Sequence, residues 1–342
     1  MRSSLVLSLA LLVVASLAPH RSAQAQVVNL YSARHYETDE ALYREFTRTT
    51  GIKVSRIEAG DDALIERIRN EGTNSPADVL IIVDAARLSR AQQLGLFAPV
   101  RSAVLTQRIP PQFHDPAGHW FGFSARARVI VYDPAEVKPE DVRTYQDLAD
   151  PKNRGKVCTR PGSHPYMLSL VSAMVAHLGE AETEAWARGV VANFARPPRG
   201  GDTDQIRAVA AGECGIALTN SYYLVRLMRS QKLADRAVAD KVTLMWPNQE
   251  SFGTHMNISG AGIARNAPNR ENAIRFLDYL ASDSAQAYFA NGNNEWPVVP
   301  SAVIDNGALR ALGEFKADDL PVAALGEHLA AAQRIVDRAG WK

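Results

Sequence analysis

The 342-residue sequence predicts an α/β protein with two similar lobes. Short apolar runs alternate with segments of helical periodicity, a pattern that gives parallel sheets with right-handed crossovers. The length is also sufficient for two domains, each with its own core. A composition of 46% hydrophobic and 22% charged residues excludes extended disorder and a polytopic membrane protein. A net charge of +1 gives no reason to expect a nucleic acid partner.

The first 25 residues have the features of a signal peptide. Arg2 supplies a positive charge, residues 5–17 form a short apolar run, and Ala23-Gln24-Ala25 is a typical cleavage site. The apolar run is too short to span a bilayer comfortably, which disfavours the alternative of a retained anchor. We therefore expect export to the periplasm.

The two cysteines are interpreted in the light of export. Cys158 and Cys214 would lie in an oxidising compartment, in or next to predicted strands. An even number of cysteines there favours one disulfide bond. Two buried free thiols are the alternative.

The predicted elements begin with a strand at 27–31. Leu42 and Phe46 indicate a helix that stops at Gly51, and a second strand follows at 52–57. A helix marked by Leu64, Ile65 and Ile68 stops at Gly72, and 79–83 is a continuous apolar strand. The remaining elements are strands at 128–132, 156–159 and 215–219, extended segments at 242–246 and 256–258, and helices at 167–177, 182–194, 273–289 and 324–338.

Tyrosines follow three of the predicted strands. Ligands of open α/β sheets collect beyond the carboxyl ends of strands. His35 and Tyr36 follow the first strand, Arg160 and Tyr166 follow the strand at 156–159, and Tyr222-Tyr223 follows the strand at 215–219. Each phenol taken singly is also a good core residue.

The tandem tyrosine is the more informative feature. Neighbours on a helix point about 100° apart, and Arg226 shares a helical face with both rings. A cation there would stabilise phenolates. Phenolate oxygens suit a hard, highly charged metal ion, and ferric iron fits better than zinc or copper.

Several stretches resemble the periplasmic ferric-iron-binding proteins of ABC importers. They are YSARHYETDEALY, GFSARARVIVYD, GKVCTR, TNSYYLVRL, NISGAGIARNAPN and NGNNEWPV. The resemblance runs in order from about residue 27 to 300. It implies a class II periplasmic binding fold: two lobes, each a mixed, mostly parallel sheet flanked by helices, joined by two crossing strands.

The resemblance also implies a ligand set for Fe³⁺. Tyr36 would come from the first lobe, and Tyr166, Tyr222 and Tyr223 from the second. His35 is a ligand in some relatives and a neighbour in others. Val83 stands where some relatives carry a carboxylate ligand, and Asp84 is one residue away from that position. The presence of Tyr166 points instead to the tyrosine-rich branch of the family. The cations expected around the phenolates are Arg126, Arg160 and Arg226.

We therefore expect a monomeric, non-enzymatic binding protein that closes over ferric iron and delivers it to an inner-membrane permease. An anion such as carbonate or citrate would complete the iron shell. The predicted first lobe is 26–124 with 249–299, and the second is 125–248 with 300–342.

Two alternatives remain open at this stage. A protein of the same fold could carry an oxyanion or a polyamine, because a fold does not fix its ligand. An exported enzyme is the other alternative. The sequence shows no G-x-S-x-G, H-E-x-x-H or post-strand G-x-G-x-x-G motif.

Overall fold

The computed structural model describes residues 26–34 and 36–342. The predicted signal peptide and His35 lie outside the described residues. The first elements follow the predicted alternation: β1 (Val27–Ser32), α1 (Asp39–Thr50), β2 (Lys53–Glu58), α2 (Asp61–Glu71) and β3 (Val79–Ile82). Helix α1 buries Leu42 and Phe46, as its periodicity predicts, and Gly51 ends it with a φ of 73°.

The next elements include one long strand, Phe121–Tyr132, which pairs with strands from both parts of the sheet. The elements are α3 (Ala85–Gln93), β4 (Phe97–Ala98), α4 (Ala103–Arg108), β5 (Phe121–Tyr132), β6 (Val157–Cys158), α5 (Pro165–Leu178), α6 (Glu180–Ala192) and α7 (Asp202–Ala210). They are followed by β7 (Ile216–Asn220), α8 (Ser221–Met228), α9 (Leu233–Asp240) and β8 (Thr243–Met245).

The return strand and the C-terminal helices complete the fold. These elements are β9 (Met256–Ala264), α10 (Arg270–Leu280), α11 (Asp283–Asn293), β10 (Trp296–Pro297), α12 (Gly307–Arg310), α13 (Ala324–Glu327) and α14 (Leu329–Ala339). The single helices predicted at 273–289 and 324–338 are wrong, because each is two helices. Ser282 caps the start of α11, accepting a hydrogen bond from the Ala285 N–H. His328 separates α13 from α14.

Strands β5 and β9 are the predicted crossing strands. The strand order is β2-β1-β3-β9-β5-β7-β6, with β10 and β8 also on β5 and β4 on β9. Residues 121–127 of β5 pair with β9, and residues 128–132 pair with β7. The β1–β2, β1–β3 and β6–β7 pairs are parallel. The mixed sheet is confirmed, but "mostly parallel" is too strong because every pair that involves a crossing strand is antiparallel.

Two main hydrophobic clusters form the core, and the larger one also includes residues of both crossing strands. One joins β1, β3, α1 and α10 through residues such as Leu30, Phe46 and Phe276. The other packs α5, α6 and α14 around Met174, Trp186 and Trp341. This arrangement supports the two-lobe architecture, while the exact lobe boundaries stay a prediction.

The disulfide prediction is confirmed. Cys158 and Cys214 are bonded, with Cα atoms 5.9 Å apart. The bond joins β6 to the turn before β7, and both cysteines are buried. The alternative of two free thiols is therefore wrong. None of the helices in the described ranges has the length and apolar character needed to cross a membrane.

Candidate metal centre between the lobes

The four predicted tyrosines converge between the two parts of the sheet. Tyr36 lies on the loop between β1 and α1, Tyr166 in the first turn of α5, and Tyr222 and Tyr223 in the first turn of α8. Strands β1 and β7 and the segment after β6 all deliver these residues at their carboxyl ends, as the sequence predicts. Tyr222 is fully buried, and the other three are half-buried.

The phenols on α5 and α8 are close enough to share one ion. The hydroxyl oxygens of Tyr166 and Tyr222 lie 3.4 Å apart. Two oxygens that each lie about 2 Å from one metal ion are about 3 to 3.5 Å from each other. The Tyr222 and Tyr223 ring centres lie 4.2 Å apart, so neighbouring phenols on α8 face the same region.

The predicted cations surround these rings. Arg226 lies over Tyr222 and Tyr223, with its guanidinium carbon 5.7 and 5.4 Å from the ring centres. Arg126 and Arg160 lie 5.8 and 5.2 Å from the centre of the Tyr166 ring. A cluster of three cations stabilises negative charge on the phenols and disfavours a cationic polyamine in the same place.

Tyr36 approaches this cluster from the other side of the cleft. The guanidinium carbon of Arg226 lies 5.6 Å from the Tyr36 ring centre. The loop of Tyr36 and helix α8 are therefore in contact across the cleft. His164 caps α5 and accepts a hydrogen bond from the Tyr166 N–H, which fixes the start of that helix.

Burial keeps the pKa of three of the phenols, those of Tyr36, Tyr222 and Tyr223, above its ordinary value. Burial, and then the neighbouring phenols of Tyr166 and Tyr36, raise the pKa of Tyr222 well above its ordinary value. Burial also raises the pKa of Tyr36 and Tyr223. A metal ion that binds these oxygens must displace their protons, as a highly charged cation does.

Sequence reasoning missed a buried ion-pair group beside Tyr36. Arg34, two residues earlier, pairs with Asp39 and Glu295, each at 2.8 Å. Burial lowers the pKa of Arg34, but these two carboxylates outweigh it and raise that pKa well above its ordinary value. Arg34 also donates to Ser259 on β9, which anchors the Tyr36 loop to a crossing strand. Glu295 lies in the quoted stretch NGNNEWPV, but a single acid there carries no signal by itself.

Asp84 has a structural role instead of facing the phenols as a ligand. Its side chain caps α3, accepting from the Arg87 N–H, and accepts a second bond from Asn257 on β9. Within the described ranges, no group of three or more His, Cys, Asp or Glu side chains is arranged to hold a metal. The tyrosine cluster is therefore the strongest candidate centre in this part of the chain.

Comparison with known proteins supports the fold. Residues 74–311 match the model of the family described as bacterial extracellular solute-binding proteins. The chain belongs to this family. Iron uptake protein A2 of a Synechocystis strain is 51% identical over 337 residues, covering 98% of this chain and 96% of that protein.

Solved structures of family members superpose closely on this chain. A Trichodesmium protein solved in complex with iron and citrate is 52% identical, with a TM-score of 0.89 over 92% of this chain and all of that one. A ferric iron-binding protein of Mannheimia haemolytica, solved in an open conformation, is 36% identical. Its TM-score is 0.85, over 92% of this chain and 98% of that one. The two-lobe solute-binding fold is thereby established for this family member.

Proposed function

We propose that this protein captures ferric iron in the periplasm and delivers it to an inner-membrane ABC permease. The observation that carries the proposal is the convergence of four phenols, from the loop of Tyr36 and from α5 and α8, beneath three arginines. Hard Fe³⁺ prefers oxygen donors, and the arginines offset the charge of several phenolates around one ion. The iron uptake role of the Synechocystis relative and the iron in the Trichodesmium structure support the proposal.

In this proposal Tyr166, Tyr222 and Tyr223 form one wall, and Tyr36 closes the site from the other. His35 is the proposed further ligand next to Tyr36. An anion such as carbonate or citrate completes the shell, in line with the citrate of the Trichodesmium complex. The role is binding without catalysis, by a monomer.

Hinge movement about β5 and β9 accounts for capture and release. Closure excludes water and strengthens the interaction between Fe³⁺, phenolates and arginines. Release follows from re-opening at the permease, from protonation of the phenolates, or from reduction to Fe²⁺. The open form of the Mannheimia relative supports a movement of this kind.

The test is a titration of the purified mature protein with ferric citrate, followed by visible absorption. We expect a phenolate-to-iron charge-transfer band that saturates at about one equivalent, since one ion satisfies the four phenols. Tyr223→Phe should weaken both the band and iron affinity without unfolding the protein. Tyr279→Phe is the matched control, because Tyr279 donates to the Leu42 carbonyl on α1, away from the cluster.

A colourless protein at every iron ratio would remove the proposed site. A Tyr223→Phe variant that keeps the full band and affinity would remove Tyr223 from the ligand set. If that variant unfolds instead, Tyr223 is a core residue and its proposed role is wrong.

A further inference from the structure

Asp202 is a fully buried carboxylate at the first residue of α7. Its Oδ2 accepts two hydrogen bonds, one from Arg128 Nη1 at 2.6 Å and one from the Asn220 backbone N–H at 2.8 Å. Arg128 is itself buried on β5. One carboxylate oxygen therefore joins a crossing strand, helix α7 and the end of β7.

The bond to Asn220 fixes the start of the helix that carries two of the phenols. Asn220 is the last residue of β7, and α8 begins at the next residue with Tyr222 and Tyr223 in its first turn. Arg128 reinforces this point by donating to the Asn220 side-chain oxygen at 3.2 Å and to the Leu218 carbonyl at 3.0 Å. The position of α8 thus depends on the Arg128–Asp202 pair.

The second carboxylate oxygen faces Arg160. Asp202 Oδ1 and Arg160 Nε are both buried, have no hydrogen-bond partner, and lie 3.6 Å apart. The guanidinium of Arg160 lies over the Tyr166 ring. A buried carboxylate restrains a neighbouring guanidinium strongly, because charges attract more in a medium of low polarity. Asp202 therefore also fixes Arg160, the cation that lies over the ring of Tyr166.

We propose that Asp202 is a positioning residue for the iron site. It places Tyr222 and Tyr223 through the Asn220 backbone, and it places Arg160 over Tyr166. This inference rests on the proposed iron-binding function and adds a residue that contacts no iron itself. Residues that orient metal ligands from outside typically change metal affinity by about 10- to 100-fold when substituted.

The experiment compares Asp202→Asn with a matched control, Asp78→Asn. Asp78 is also fully buried and accepts backbone bonds from Asn29 and Asn269. It precedes β3, at the opposite end of the strands from the phenols. Both substitutions remove a buried negative charge and should lower the melting temperature. Ferric affinity is measured by competition with citrate, and the charge-transfer band is recorded for each variant.

We expect Asp202→Asn to lower ferric affinity by about 10- to 100-fold and to shift the band, with Asp78→Asn unchanged in both. The inference is wrong if folded Asp202→Asn retains wild-type affinity and band position. It is equally wrong if Asp78→Asn loses as much affinity, because general destabilisation would then explain both losses.

A second variant covers the case in which Asp202→Asn does not fold. Removing one partner leaves Arg128 buried without its counter-charge, whereas replacing both partners is often tolerated. The double variant Asp202→Asn/Arg128→Met should fold and show the same loss of affinity; unchanged affinity would overturn the inference. The wild-type titration separates this failure from that of the proposed function, since a wild-type protein without a band removes the iron site altogether.

Discussion

The disulfide gives a stability prediction that can be worked from the structure. The Cys158–Cys214 bond closes a loop with a sequence separation of 56 residues. That loop contains α5, α6 and α7, and so carries Tyr166 and Asp202. For a loop of this length, the chain-entropy relation gives a stabilisation of about 4 kcal/mol, which we expect the double variant Cys158→Ala/Cys214→Ala to lose.

Urea unfolding of the oxidised protein and of the double variant measures this difference. Alanine suits both positions because the sulfurs pack in a small apolar cluster with Ala208, Val209 and Ala217. The midpoint should fall and the slope should rise, since loss of the bond leaves the folded surface unchanged but lets the unfolded chain expose more surface. The wild-type protein, fully reduced after unfolding, should give a similar loss. A loss below about 1 kcal/mol would show that the unfolded chain is already restrained without the bond, contrary to the entropy argument.

The remaining predictions concern pH and the crossing strand. Burial, with smaller contributions from Arg128 and His177, lowers the pKa of His255 to about 3. Between about pH 3 and about pH 6.5 the unfolded chain binds a proton that the folded chain does not. The unfolding free energy therefore falls as the pH drops below about 6.5 and levels off near pH 3, by at most about 1.4 kcal/mol per pH unit. His255→Gln should make the unfolding free energy depend less on pH in this window, and an unchanged dependence would contradict the lowered pKa of His255. Gly262→Ala should destabilise by about 1 to 3 kcal/mol, because its Cβ would lie within 2.6 Å of Phe97 and closer still to the His119 carbonyl. Gly307→Ala has open space in the first turn of α12 and should not destabilise in the same melting assay, so equal melting temperatures for the two variants would refute the packing argument.

Short-range patterns predicted much of the fold correctly. The apolar runs at 27–31, 79–83 and 215–219 are strands, because a buried strand needs continuous apolar residues and little else. Helix breaks were less predictable. Residues 273–289 read as one apolar helix, and only the capping bond of Ser282 shows where the chain turns.

The candidate site, like the fold, could be predicted only in part. The sequence by itself determined which tyrosines follow strand ends, and the carboxyl ends of strands meet by geometry, so Tyr36, Tyr166, Tyr222 and Tyr223 could be predicted as a cluster. It also favoured a bond between its two cysteines once export was inferred, and the structure then excluded two free thiols.

Only the tertiary structure decided which charged groups hold the tyrosines in place. Arg128 and Asp202 are 74 residues apart in the chain, and Arg34 and Glu295 are 261 apart. Neither pair has a periodicity or a motif that links its members. A buried charge needs a counter-charge wherever the fold brings one, so its partner is determined by packing in three dimensions and not by position in the sequence.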